Sequence, residues 1–183
     1  MNGAGNSLNL FVPIIANALL LALILSASVT DIWKNKIYNC QTYPAMAAGF
    51  FLGFLFSGIH GLLFSIGGLG LGIAILLIFF LLGGLGAGDV KLLGAIGALK
   101  GPEFVVWTMF YTGLAGGAVA FAVIIWRGTF LQTFMNIGLL LRHPLMFARS
   151  PEAVRTDADD QALQYLPYGC VISAGSLLAL FIA

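Results

Sequence analysis

At 183 residues, with 60% hydrophobic and only 8% charged side chains, the chain departs from the roughly one quarter charged that soluble domains carry, which excludes a soluble globular fold. A formal net charge of +1 offers no field for nucleic acid. The length suits several membrane spans and leaves no room for a second soluble domain.

A helix that crosses a bilayer needs about 20 apolar residues. The runs 8–29, 62–85 and 104–126 reach that length outright, and shorter apolar runs at about 40–57, 89–100 and 168–183 are bounded by polar or turn residues. Lipid tolerates no unpaired backbone, so each run is read as a helix. Their apolarity is continuous, without the period of two that a β-barrel requires. The expected fold is therefore all-α, a polytopic transmembrane bundle of about six spanning helices forming one domain over residues 1–183. No basic residues precede the first run, which is also longer than a signal-peptide core, so it is expected to remain in the membrane. The one long connection, about 128–167, holds "TFLQTFMNIGLLL", read as an interfacial helix or else a partial seventh span, and then the solvated loop "RHPLMFARSPEAVRTDADDQ".

Basic residues set the orientation. With the N-terminus outside, Lys34, Lys36, Arg127, Arg142, Arg149 and Arg155 fall in cytoplasmic segments and only Lys100 in an outer turn. Asp31 and Asp89 then share the cytoplasmic face. Each stands at the edge of an apolar run, where an N-cap role is the plain reading. Two acids at one depth are costly near hydrocarbon, which points to a site. Paired carboxylates do not both ionise easily. One keeps a proton while the other serves as base, the division of labour that activates water in aspartyl proteases without metal or covalent intermediate.

Glycine is abundant. Gly67, Gly68, Gly70, Gly72, Gly94, Gly97, Gly113, Gly116 and Gly117 are placed for close helix approach. Gly83, Gly84, Gly86 and Gly88 crowd just ahead of Asp89, where backbone freedom would end one helix, aim the acid into a cavity and admit a substrate strand. Lys91 diverges from Asp89 on a regular helix and is read as an interfacial snorkelling residue, with tuning of Asp89 as the alternative. Asn39 either caps the second helix or holds a catalytic carboxylate. Cys40 and Cys170 form no CxxC pair, so no zinc site or disulfide framework is expected, and both are read as buried small groups. His60 and His143 are isolated from the acids, and Trp33, Trp107 and Trp126 suit an aromatic belt. Asp157, Asp159 and Asp160 lack the glycine and distal glutamate of a calcium loop. They are read as solvated, with attraction of a basic peptide as the sharper role.

These residues resemble the type IV prepilin peptidases, membrane aspartyl proteases of the GxGD class. "GAGD" at 86–89, followed by "VKLLGAIGA", is similar to the signature around that family's second catalytic Asp. "TDIWKNKIYN" at 30–39 resembles the first catalytic region, although its Ile-Pro-Asn element here reads Ile37, Tyr38, Asn39. "LPYGCVISAG" at 166–175 is similar to the opening of the last helix. The resemblance implies Asp31 and Asp89 as the catalytic pair and Gly86 and Gly88 as the residues shaping the loop. It also implies removal of a short basic leader from prepilin or pseudopilin precursors at the cytoplasmic face of the inner membrane. The implied partners are those leader peptides and membrane lipid, with no cofactor. Many members also N-methylate the new terminus through an inserted domain with paired CxxC motifs. That insert is absent here, so peptidase activity alone is expected, as in the short forms serving Tad-type (Flp) or archaeal pili.

Two other classes compete. A small proton- or cation-coupled transporter would use two acids as a relay, but would place them near mid-membrane, typically with repeated halves. A non-catalytic pilus-assembly scaffold leaves the paired acids unexplained. A presenilin-like protease shares GxGD but fits the other two motifs less well.

Overall fold

The computed structural model describes residues 3–82, 85–127 and 168–182; the interfacial helix, Gly83, Gly84, His143 and the acids Asp157, Asp159 and Asp160 lie outside them. The described residues form α1 (Gly3–Lys34), α2 (Asn39–Leu81), α3 (Ala87–Lys100), α4 (Pro102–Arg127) and α5 (Tyr168–Ile182), with no strand among them. Pro13–Lys34 and Asn39–Leu81 are long and apolar enough to cross a membrane, and Tyr168–Ile182 is a shorter apolar helix. Large apolar side chains such as Leu25, Phe51, Ile78 and Phe181 stand exposed on them, as does Trp33, an arrangement suited to lipid and not to water.

The chain divides into two compact units, Met1–Gly113 with Pro167–Ala183, and Leu114–Leu166. Of the second, the described part is the end of α4, where Leu114, Ile125 and Trp126 are exposed. The first unit holds the site.

In α2, two arms are joined at a reversal. Gly58 takes φ 57° and ψ −138°, a conformation that glycine adopts without a Cβ clash. Ser65 Oγ donates to the Gly49 carbonyl at 3.2 Å, and Gly53 and Gly61 meet backbone to backbone. In one straight helix those pairs would stand roughly 24 Å and 12 Å apart. The sequence suggests a turn near residues 57 to 62; the chain instead folds back at Gly58 itself, with His60 exposed beside it.

Between the arms lies α3. Asp89, Val90 and the whole run from Leu92 to Ala98 are buried. A helix of 14 residues measures about 21 Å, short of the ~30 Å hydrocarbon core, so α3 is enclosed by protein instead of lipid. Glycines make that enclosure possible. A Cβ on Gly49 would strike the Ala98 carbonyl, one on Gly72 the Leu93 carbonyl at 2.7 Å, and Gly68 and Gly97 meet through their backbones. Gly94 lies against Ile73. Gly67, Gly70, Gly113 and Gly117, by contrast, would have no atom within 4 Å of an added Cβ among the described residues, so the packing role expected of them is not realised among those residues. The core gathers Leu20, Ile24 and Ala27 of α1, Leu76 of α2, Leu92, Leu93 and Ile96 of α3, Val105 of α4 and Ile172 of α5.

Helix ends follow local chemistry. Asn35 stops α1 at φ 47°, a left-handed position that Asn tolerates better than most residues. Gly101 leaves α3 at φ 85°, and Pro102 opens α4, where a missing N–H costs nothing. At this end of α3, Lys100 Nζ donates to Asn17 Oδ1 at 2.7 Å and lies over the Phe104 ring. That bond ties α1 to α3 at the end opposite the acids. The expectation of two buried cysteines fails for Cys40, which is exposed in the first turn of α2; Cys170 is half-buried at the start of α5.

Candidate active site

Asp31 projects from the last turn of α1 and Asp89 from the first turn of α3, so the two acids come from opposite ends of their helices and reach the same end of the bundle. Both are buried, at 6% and 8% exposure. They line one cavity of about 360 Å³, with the connector from Asn35 to Asn39 and the turn from Gly86 to Ala87 and Gly88 as its other walls. A carboxylate this enclosed needs hydrogen-bond donors, and each acid receives them from backbone. Asp89 Oδ2 accepts the Gly86 N–H at 3.2 Å, while the Asp89 N–H returns a bond to the Gly86 carbonyl at 3.1 Å. Asp31 Oδ2 accepts the Cys170 N–H at 3.1 Å.

Asp31 therefore caps a helix, but not its own. It sits inside α1 and satisfies the N-terminus of α5, whose first N–H groups have no partner within that helix. The last helix thus belongs to the site, a role that sequence reasoning did not assign. Its signal was the glycine after "PY" at a helix start. A Cβ on Gly169 would lie 2.8 Å from Asp31 Oδ2 and 2.9 Å from Ile37 Cδ1. Gly169→Ala is expected to push the Asp31 carboxylate off its donor and lower kcat/KM about a hundredfold, since small misplacements of reacting groups carry that cost. Thermal unfolding measured alongside separates this from a folding defect, and an unchanged kcat/KM would deny α5 a place in the site.

The GxGD glycines act through space and not through unusual backbone. Gly86 has φ −80° and ψ 149°, ordinary extended values, and neither Gly86 nor Gly88 has positive φ. A Cβ on Gly86 would lie 3.3 Å from Asp89 Oδ2, and one on Gly88 would lie 3.0 Å from Ile37 Cβ. The backbone freedom expected of these two glycines is not what the fold uses.

Asn39 is the first residue of α2, after the N-cap Tyr38, and no side chain caps that end. Its Oδ1 accepts Lys91 Nζ at 2.9 Å, and the same ammonium lies over the Tyr43 ring at 5.5 Å. Lys91 thus turns away from Asp89 and joins α3 to the rim of the cavity. Gln41 Nε2 donates to the Ser26 carbonyl at 3.3 Å, fastening the start of α2 to α1.

A family model described as the type IV leader peptidase family matches residues 18–121, a stretch that contains both acids, the connector and the glycine turn. No curated protein and no solved structure matches the chain. With more than half of its length under that match, this membrane-associated helical chain belongs to the type IV leader peptidase family.

Proposed function

We propose that the chain is an aspartyl endopeptidase that removes the short basic leader from type IV prepilin-like precursors at the cytoplasmic face of the inner membrane. The observation that carries this is the meeting of two buried carboxylates, Asp31 and Asp89, in one cavity walled by the connector and the glycine turn. In this reading the pair shares one proton. The ionised member draws a proton from water as the water attacks the scissile carbonyl, and the protonated member donates to the leaving amide. Backbone donors from Gly86 and Cys170 hold the two groups in orientation for that exchange.

Six membrane-embedded helices are proposed: α1, the two arms of α2, α3, α4 and α5, of which α3, at about 21 Å, is held within the protein and stops short of the full ~30 Å core. Each arm of α2 is near the length a span requires. The N-terminus is outside, which puts Lys34, Lys36 and Arg127 on the cytoplasmic side with the acids and Lys100 on the other. Methylation is not proposed, since Cys40 and Cys170 are the only cysteines and form no CxxC motif.

The test is leader removal from a co-expressed type IV prepilin, read as a gel shift. Processing is expected with the native chain and not with Asp31→Asn or Asp89→Asn at equal membrane levels. Processing that survives both substitutions would reject the paired-acid peptidase and return the transporter and scaffold readings.

A further inference from the structure

Four of the described helices form two closely joined pairs, and each pair carries one of the acids. α1 is bonded to α5: besides the Asp31 carboxylate on the Cys170 N–H, Ser173 Oγ donates to the Ile24 carbonyl at 3.3 Å and Cys170 Sγ to the Ser28 carbonyl at 3.6 Å. α3 is held on α2 by the backbone approaches of Gly49 to Ala98 and of Gly68 to Gly97, and by the bond from Lys91 to Asn39. Asp31 therefore belongs to one body and Asp89 to the other. Apolar core contacts fill the seam between them, and such contacts tolerate sliding better than a directional bond does. Among the described residues, the side-chain hydrogen bonds that cross the seam are Lys100 to Asn17, at the end away from the acids, and those of Gln41 at the acid end.

Gln41 is half-buried in the first turn of α2. Its Nε2 donates to the Ser26 carbonyl at 3.3 Å, and its Oε1 accepts the Thr30 hydroxyl at 3.3 Å. Both ends of one amide are thus spent on the stretch of α1 that leads to Asp31, and Thr30 is the residue immediately before that acid. A single bond would leave a pivot. An amide that gives and takes at once fixes distance and rotation together, and polar side chains of this kind join one membrane helix to another. The carboxylates depend on such a tie, because they share a proton only while they stay close.

We infer that Gln41 is a positioning residue for the acid pair: its amide fixes α1 against the α2–α3 body at the cavity end and so sets the separation of Asp31 from Asp89. This deepens the peptidase reading and rests on it. Gln41 is not on the cavity wall, so it acts on the reaction through the spacing of the acids and not through contact with substrate. The walls that hold the peptide are unchanged when the amide is lost. The loss should therefore fall on kcat and not on KM.

The experiment uses the full chain in lipid nanodiscs and a synthetic peptide, a basic leader followed by the start of an apolar segment. The native chain is compared with Gln41→Met, a side chain of similar length without the amide, and with Thr30→Val and Thr30→Ser. Expected for Gln41→Met is a fall of about tenfold in kcat with KM within about twofold. Its bell-shaped pH profile should also narrow, because acids moved apart titrate more nearly independently. Lys36 and Tyr38 on the cavity wall and Cys170 beside Asp31 are kept in every one of these chains, so the change in width is that of the pair. Thr30→Val should narrow the profile in the same direction, and Thr30→Ser, which keeps the hydroxyl, should restore it. The separation is also read without catalysis, between spin labels at Trp33→Cys near the end of α1 and Ala87→Cys at the start of α3, with Cys40→Ser and Cys170→Ser. That distance distribution should shift or broaden in Gln41→Met. A native profile width and a native distance in Gln41→Met overturn the inference, even if kcat falls, since a merely structural bond would only reduce the amount of active chain. A native chain that cuts nothing, while the distance still responds to Gln41→Met, overturns the leader-peptidase reading and upholds the role of Gln41.

Discussion

Asp31→Asn and Asp89→Asn should each lower kcat/KM for leader removal by about a thousandfold or more, and the double variant should fall no further than the worse single one. Asparagine keeps the size of the side chain and an oxygen that can still accept the Cys170 or Gly86 N–H, so the fold is expected to survive. What asparagine loses is the proton. If the acids were only helix caps, asparagine would serve almost as well, because it ranks with aspartate at that position. A large loss on this substitution therefore separates chemistry from capping. The double variant adds a second discrimination. A proton shared by two carboxylates makes them one device, and breaking it twice costs no more than breaking it once. Purified chains in nanodiscs, assayed with one peptide substrate, give all three values; losses that multiply in the double variant would reject the shared-proton mechanism.

Gly97→Ala should cost about 3 kcal/mol of stability, and Gly97→Leu should leave no folded chain. The reason is that the space beyond Gly97 holds backbone. A Cβ there meets the Gly68 carbonyl oxygen, then the Gly68 carbonyl carbon at 2.5 Å and Val105 Cγ2 at 2.8 Å. A flexible side chain could turn aside, but a helix backbone can only move as a whole, and α2 is held on α3 along its length. Gly67 and Gly70 supply the contrast, because each lies on the same arm as Gly68 and, among the described residues, an added Cβ there would meet nothing within 4 Å beyond its own helix. Alanine at either should be neutral or slightly stabilising, since glycine in a helix interior is disfavoured relative to alanine by roughly 0.5–1 kcal/mol. Thermal unfolding of the three alanine variants in one detergent checks the ranking. Equal effects would mean that the α2–α3 contact does not govern stability.

Much of this was legible because lipid simplifies the code. Continuous apolar runs in lipid are read as helices, so the existence of α1, α4 and the two arms of α2 was legible, although α1 extends past the run 8–29 at both ends and takes Asp31 inside it. The acids were legible because a carboxylate beside hydrocarbon needs a reason. Other features depend on partners that sequence distance hides. Asp31 is bonded to Cys170 across 139 residues, and nothing near Asp31 in the chain foretells it. Asn39 was assigned to a cap or a carboxylate because those were its local options; its actual partner, Lys91, is 52 residues away. Glycine composition identified helices that approach closely but not which glycines do so. Gly67, Gly68 and Gly70 look alike in sequence, and only Gly68 faces Gly97. In the GxGD stretch, the property of glycine that matters is its missing side chain and not its conformational range, a distinction that requires knowing where Ile37 lies.

The bond from Asp31 to the start of α5 also has a consequence for biosynthesis. The acid is made early and its donor 139 residues later, so a ribosome has completed α1 through α4 before the residue that orients Asp31 leaves the exit tunnel. Until then both acids are in place but Asp31 lacks its backbone donor. A nascent chain thus holds Asp31 without that donor, and the carboxylate gains its fixed orientation only when α5 docks.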